Sequence, residues 1–433
     1  MSKPNIIVFI THDQGQFLGC YNSPQTPNSL ITPNLDNLAK EGIRFTNYFC
    51  TAPQCTPSRG AIQTSLYPHQ NGLMGLVDHG WTLPESNKTL AMYLKENGYS
   101  THLMGFQHEA FDANTLGYDT ISKRRSEPLY NCHMMNKNYQ KFFIDHQYDR
   151  QPFYLNIGVA QVHRPFGIGS GPAVDPENVK IPPYLPDNKI VREDLSQFYS
   201  AIQGVDECIG NIINMLGEFG LRDDTLFIYT TDHGEAYPRA KCTLYDPGIK
   251  TILLMTYPNS DILKKGIAYD QMISNIDLMP TLLDIIGAQI PNKIEGRSFL
   301  PLLQGKTNKF RTEIFSEKTF HEIYDPIRSV RTEKFKYIKN FEKNRDRYQI
   351  PGDMRQDALG KYFLKLANKT RPNEELYDLK KDPSELNNLV NDFNYIDAVK
   401  ELKDKLFDWM RRTDDPLLKG KIKEHRGKPP LKY

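Results

Sequence analysis

The stretch Asn5-Ile-Ile-Val-Phe-Ile-Thr-His-Asp13 decides the fold class. Residues 5–11 are almost continuously apolar and β-branched, the pattern of a strand covered on both faces inside a parallel sheet. The strand then stops on an imidazole and a carboxylate. Leu226-Phe-Ile-Tyr-Thr-Thr-Asp-His-Gly234 repeats the arrangement, with a strand over 226–231 that ends on Asp232 and His233. Residues 153–159 and 251–256 read as further buried strands. Between them, apolar side chains recur at helical spacing over 33–41, 89–97, 194–219 and 276–286. Strands alternating with helices predict an α/β fold with a doubly wound, mostly parallel sheet between helices. Ligands bind such sheets beyond the carboxyl ends of the strands, where both His–Asp pairs fall.

A chain of 433 residues exceeds one ordinary core, so two domains are expected. Its character changes after Gly287. Connector-like sequence at 291–297 and 304–309 precedes short strands at 312–316, 327–331 and 334–339 and a helix at 396–411. This predicts a catalytic domain over 1–305 and a smaller C-terminal α+β domain over 306–433. Residues 166–188, rich in Pro and Gly, are expected to form a long surface loop. The basic tail after Leu417 reads as a solvated end.

Lys and Arg total 54 against 52 Asp and Glu, a formal charge of +2 that gives no support to a nucleic-acid partner. The apolar runs are far too short to span a bilayer, so no membrane partner is expected. Met1-Ser-Lys-Pro leads straight into the first strand without a signal peptide. The expected location is the cytoplasm, or outside it with an export signal removed. The six cysteines offer no disulfide framework and no Cys-x-x-Cys pair. Cys20, Cys50, Cys132, Cys208 and Cys242 default to buried apolar packing.

His12, Asp13, Asp232 and His233 could converge on one divalent cation. Oxygen ligands alone suit calcium or magnesium; two imidazoles shift the preference toward manganese, zinc or iron. The third piece is Cys55-Thr-Pro-Ser-Arg59. Thr56 suits an N-cap and Pro57 the first helical position. Cys55 would then lie just before a helix N-terminus, where free N–H groups and the positive dipole end favour negative charge.

Cys55-Thr-Pro-Ser-Arg59 resembles the signature of the sulfatase family, in which the Cys is oxidised after synthesis to formylglycine. The resemblance covers almost the whole chain. Asn5 to Asp13 fits the first metal strand, Tyr229-Thr-Thr-Asp-His-Gly234 the second, and Thr32-Pro-Asn-Leu-Asp36 and Gln70-Asn-Gly72 the flanking segments. Within the family the chain is most similar to the N-sulfoglucosamine sulfohydrolases. Thr243-Leu-Tyr-Asp-Pro-Gly248, Phe320-His-Glu322, Ile327-Arg-Ser-Val-Arg331 and Glu375-Leu-Tyr-Asp-Leu379 carry that likeness.

The resemblance implies an alkaline-phosphatase-like fold and hydrolysis of a sulfate ester or sulfamate, with a sulfated small molecule or glycan as substrate. It implies calcium as the divalent metal, with Cys55 among its ligands. A formylglycine-installing enzyme is the implied partner. A hydroxyl of the hydrated aldehyde attacks sulfur and expels the alcohol or amine; the second hydroxyl then releases sulfate, a division of one hard step into two. Arg59 would orient that diol, or bond backbone carbonyls, and Lys241 would grip the sulfate. His108 and His163 match two family histidines, one of which protonates the leaving group. His321 and Glu322 would line the sugar pocket.

Three positions depart from the family pattern. His12 stands where an Asp is usual, His233 where an Asn is usual, and Phe106 where a Lys is usual. The Asp232-His233 pair is similar to that of formylglycine-dependent phosphonate monoester and phosphodiester hydrolases, an alternative activity. A binding protein that keeps the pocket without the chemistry is a third reading. Oligomeric state is not readable from the sequence.

Overall fold

A computed structural model of the protein describes residues 3–23, 28–122, 131–167, 170–343, 345, 350–366 and 370–424. Its centre is an eight-stranded sheet. In spatial order the strands are Ile267–Tyr269, Ile43–Phe45, Leu253–Thr256, Thr225–Thr231, Asn5–Thr11, Phe153–Gly158, Ser100–Gly105 and Thr120–Ser122. Neighbours run parallel, except that Leu253–Thr256 is antiparallel to both strands beside it. The expected strand over 251–256 divides. Lys250–Thr251 joins a three-stranded sheet with Tyr48–Phe49 and Ile273–Ser274, and only the later part enters the large sheet.

Asn5–Thr11 shows why its sequence reads as continuously apolar. Successive side chains leave opposite faces of a strand. Ile7 and Phe9 enter the core covered by the helix Lys189–Glu218, while Ile6, Val8 and Ile10 enter the core covered by Leu90–Glu96 and Leu278–Ile285. Both faces need apolar residues, and fully burying each is worth about 1.5–3 kcal/mol. Lys189–Glu218 starts earlier than its periodicity suggests because the Asn188 side chain accepts a hydrogen bond from Val191 N–H at 3.1 Å, an N-cap.

The strands Glu313–Phe320, Tyr324–Thr332, Phe335–Asn340 and Glu374–Asp378 form the separate antiparallel sheet. The helix Ile396–Arg412 packs Leu402, Leu406, Trp409 and Met410 against it. Short helices at Gly352–Arg355 and Ala358–Leu366, not anticipated from the sequence, lie between the last two of these strands. Among the described residues no helix is long and apolar enough to cross a membrane.

Two expectations need correction. The 166–188 segment is irregular apart from a short turn at Pro176–Asn178, but it is not wholly superficial, because Val179, Tyr184 and Leu185 are buried. Its residues 168–169, and residues 425–433 of the basic tail, lie outside the described residues. Cys132 and Cys208 do not pack as free apolar thiols; they form a disulfide with Cα atoms 6.0 Å apart. Cys20 is only half-buried, whereas Cys50 and Cys242 are buried and free as expected.

Candidate active site

Strand register builds the site. Thr11 and Thr231 are partners in adjacent parallel strands, so His12-Asp13 and Asp232-His233 leave the same sheet edge side by side. Phe153–Gly158, on the other flank of Asn5–Thr11, runs toward His163, and Ser100–Gly105 beyond it runs toward Phe106 and His108. Asp13 turns in a left-handed conformation (φ 58°), which Asp tolerates better than most residues. Its N–H donates to Asp232 Oδ1 at 3.0 Å, and the same oxygen accepts from His233 N–H at 2.8 Å.

The helix Cys55–Thr64 points its N-terminus at this edge. Cys55 is its first residue, and Gln54 occupies the N-cap position. The Thr56 hydroxyl does not cap the helix as expected; it accepts from Val77 N–H at 3.1 Å. Ligand-capable atoms of His12, Asp13, Cys55, Asp232 and His233 all lie within 4.8 Å of one another, and all these residues are buried. Cys55 Sγ is 3.4 Å from His233 Nε2.

His12 Nε2 and Asp13 Oδ1 are buried without a hydrogen bond. Leaving such atoms unmet costs about 1–3 kcal/mol each. Ion-pair contacts crowd them instead, at 3.3 Å between His12 Nε2 and Asp232 Oδ2 and 3.0 Å between His233 Nε2 and Asp13 Oδ1. Two carboxylates, two imidazoles and a sulfur turned toward one point, with two atoms unmet, fit a divalent cation. The two imidazole nitrogens shift the preference from calcium toward manganese, zinc or iron.

Cations ring the cluster. Arg59 Nε donates to Asp232 Oδ2 at 3.0 Å and its Nη2 to the Thr11 carbonyl at 3.1 Å, so it bonds both a cluster carboxylate and the backbone. Its guanidinium also lies 5.1 Å above the Phe106 ring, and that ring stands 5.2 Å from His12. Phe106 thus replaces an expected cation with an aromatic wall. Lys241 Nζ bonds Asp13 Oδ2 at 2.6 Å and lies 3.3 Å from His163 Nε2. His108 Nε2 lies 3.2 Å from Asp78 Oδ2.

Electrostatics follow from these neighbours. Burial pushes the Cys55 thiol up, but Lys241, His108 and His233 together bring it below its ordinary value. Burial acts against charge on His108, yet Asp78 and Cys55 raise it to about 9. Burial holds His12 well below the usual imidazole range; burial and then Lys241 lower His163.

His321 is also lowered by burial and then by Lys241, which places it within electrostatic reach of the site. Glu322 bonds elsewhere: it accepts from Gly352 N–H and pairs with Arg355 at 3.0 Å. Sequence reasoning missed Asp78 and also Asp353, whose Oδ2 lies 2.8 Å from Lys241 Nζ and 3.3 Å from His163 Nε2. No motif surrounds it, and only the tertiary placement of its short helix brings it here.

Comparison with known proteins bears on the family and the fold. The family model "Sulfatase" matches residues 4–288. The chain belongs to the sulfatase family. The model "N-sulphoglucosamine sulphohydrolase, C-terminal" matches residues 234–359 of this sulfatase. An ulvan-active sulfatase of Formosa agariphila is 30% identical to it, over 97% of this chain and 82% of the relative. Human N-sulphoglucosamine sulphohydrolase is 27% identical over 95% of this chain and 91% of its own. Among solved structures, the yidJ sulfatase of Bacteroides fragilis superimposes with a TM-score of 0.77 at 21% identity, covering 97% of this chain and 98% of that one. A protein crystallised with its substrate D-glucosamine-2-N,6-O-disulfate gives 0.71 at 20% identity, over 96% and 99%. These two likenesses bear on the fold, which matches the sulfatase's expected α/β architecture.

Proposed function

We propose that this sulfatase hydrolyses a sulfate ester or sulfamate on a sulfated glycan, with N-sulfoglucosamine as the preferred unit. The observation that carries the reading is the convergence of Cys55 with His12, Asp13, Asp232 and His233 within 4.8 Å, beside Lys241. The human relative's name and the glucosamine disulfate bound by a structural relative support the choice of sugar.

His12, Asp13, Asp232, His233 and the side chain at 55 would hold a divalent cation, which would supply Lewis-acid polarisation of a sulfate oxygen. Formylglycine at position 55, installed by a converting enzyme, supplies the nucleophilic hydroxyl in place of the thiol. Lys241 Nζ grips the sulfate and offsets its charge. Arg59 holds Asp232 in place at 3.0 Å and keeps positive charge near position 55. His108 touches Cys55 and is held charged by Asp78 beside the nucleophile. His163 Nε2 lies on the Lys241 side of the site, and one of these two imidazoles gives a proton to the leaving oxygen or nitrogen.

A phosphonate monoester or phosphodiester hydrolase is the second reading, favoured by His12 and by the Asp232-His233 pair. The intact mass of the Cys55 peptide, with parallel assays on p-nitrophenyl sulfate, glucosamine N-sulfate and a phenyl phosphonate ester, separates the readings. An aldehyde mass with preferential sulfate release is expected. Faster phosphonate turnover supports the second reading. Protein with the aldehyde and bound metal that turns over none of the three defeats both and favours a sulfated-glycan-binding protein.

A further inference from the structure

The short helix Gly352–Arg355 carries Asp353 from the antiparallel-sheet segment into the site. The surrounding contacts fix it there. Glu322 bonds Gly352 N–H at one end and Arg355 at the other. Farther along, Asp357 Oδ2 lies 3.0 Å from Arg164 Nη1, and Arg164 also pairs with Asp194 of the long helix. Asp353 is therefore held from both sides of the molecule.

Its two oxygens have different surroundings. Oδ2 faces Lys241 Nζ at 2.8 Å and His163 Nε2 at 3.3 Å. Oδ1 is buried without a hydrogen bond. Ligand-capable atoms of Asp13, His163 and Asp353 lie within 4.8 Å of one another, which raises the question of a second cation. Lys241 answers it. Its ammonium already sits between Asp13 Oδ2 at 2.6 Å and Asp353 Oδ2 and supplies the positive charge that a second metal would bring. What remains unmet is an acceptor alone, because an ionised carboxylate has lone pairs and no proton to give.

We infer that Asp353 is a specificity-determining residue of this sulfatase, whose Oδ1 accepts a hydrogen bond from an N–H or O–H donor on or beside the leaving atom of the substrate. The inference rests on the sulfatase reading and deepens it. A sulfamate carries such a hydrogen on the leaving nitrogen, and a sugar sulfate ester carries one on a neighbouring hydroxyl. A simple aryl sulfate carries neither. A site built to receive a donor discriminates against ligands without one because a buried polar group is then left unpaired.

The test compares Asp353→Ala with wild type on glucosamine N-sulfate, glucose 6-sulfate and p-nitrophenyl sulfate. Binding of the same compounds to C55A and C55A/D353A proteins is measured by calorimetry, without turnover. The loss in kcat/KM on the sugar is expected to exceed the loss on the aryl sulfate by about 10–100-fold, the range for a hydrogen bond to a charged group. The calorimetric affinities should shift the same way. A selective loss confined to the sulfamate locates the donor on the leaving nitrogen; one shared by both sugars locates it on a hydroxyl. If Asp353→Ala does not fold, Glu322→Gln, which loosens the helix bearing Asp353, is read by the same ratio. Equal losses on all substrates, or none, overturn the inference alone. Wild-type protein that releases no sulfate from any of the three overturns the sulfatase reading and this inference with it.

Discussion

His12 Nε2 lies 3.3 Å from Asp232 Oδ2, joining the ends of two strands more than two hundred residues apart in sequence. An imidazole thus stands among carboxylates where oxygen ligands alone would favour a hard cation. His12→Ala is therefore expected to weaken zinc or manganese binding more than calcium binding. Loss of an outer-shell partner already costs about 10–100-fold in metal affinity, and loss of a ligand should cost at least as much. Competitive titration calorimetry on metal-stripped protein measures both ions. Equal weakening for calcium and zinc would show that His12 does not set the metal preference, and unchanged binding of both that it is not a ligand.

Removing the side chain at 55 should abolish sulfate release without unfolding the protein. Cys55→Ala is expected to lower kcat by about 10⁴-fold or more, the scale of losing a nucleophile. Circular dichroism should remain unchanged. Appreciable residual turnover would mean that the nucleophile is not drawn from this position.

Arg328 is fully buried and holds Asp415 through Nε at 2.6 Å and Nη2 at 3.1 Å, with Glu317 at 3.2 Å. Asp415→Ala removes one partner from a buried charge. Breaking such a pair costs about 3–5 kcal/mol. Urea unfolding should show a lower midpoint, and a near-neutral result would mean that Glu317 and the neighbouring backbone carbonyls satisfy the guanidinium without Asp415.

The Cys132–Cys208 bond closes a loop with a sequence separation of 76 residues and ties the segment before the helix Asn136–His146 to the long helix. Cys208→Ser is expected to cost about 2–4 kcal/mol, mainly through the greater freedom of the unfolded chain. Thermal melts with and without reductant should differ for wild type and coincide for the variant.

Burial lowers His102 from 6.5 to about 4, with His146 adding to the effect. Between those values the unfolded chain binds the proton and the folded chain does not. The contribution of His102 is thus full above about pH 6.5 and is lost as pH falls toward 4. Unfolding measured across this window should show wild type losing more stability than His102→Gln. Parallel curves would mean that the imidazole titrates normally in the folded protein.

The legible parts of the site are those encoded locally. Asp13 and Asp232 follow strands whose doubly buried faces force an apolar run, and Cys55 sits in a short motif at a helix start. Asp353 and Asp78 were not legible because neither follows a periodic element, and contacts remote in sequence bring them to Lys241 and His108. The Thr56 cap was misread because its hydroxyl has a better-placed donor in Val77, which is close only in the folded chain. The strand over 251–256 was misread because an apolar run does not reveal that its ends belong to different sheets. The Cys132–Cys208 pairing is a long-range contact that the spacing of six cysteines does not specify.

Cys55 is 3% exposed. A second protein that must chemically alter it has no room to do so once the helix Cys55–Thr64 is seated. Under the formylglycine reading proposed above, maturation has a deadline: conversion has to happen while the nascent chain is still open. Polypeptide that folds first should remain a thiol-bearing protein, beyond rescue by later addition of the converting enzyme.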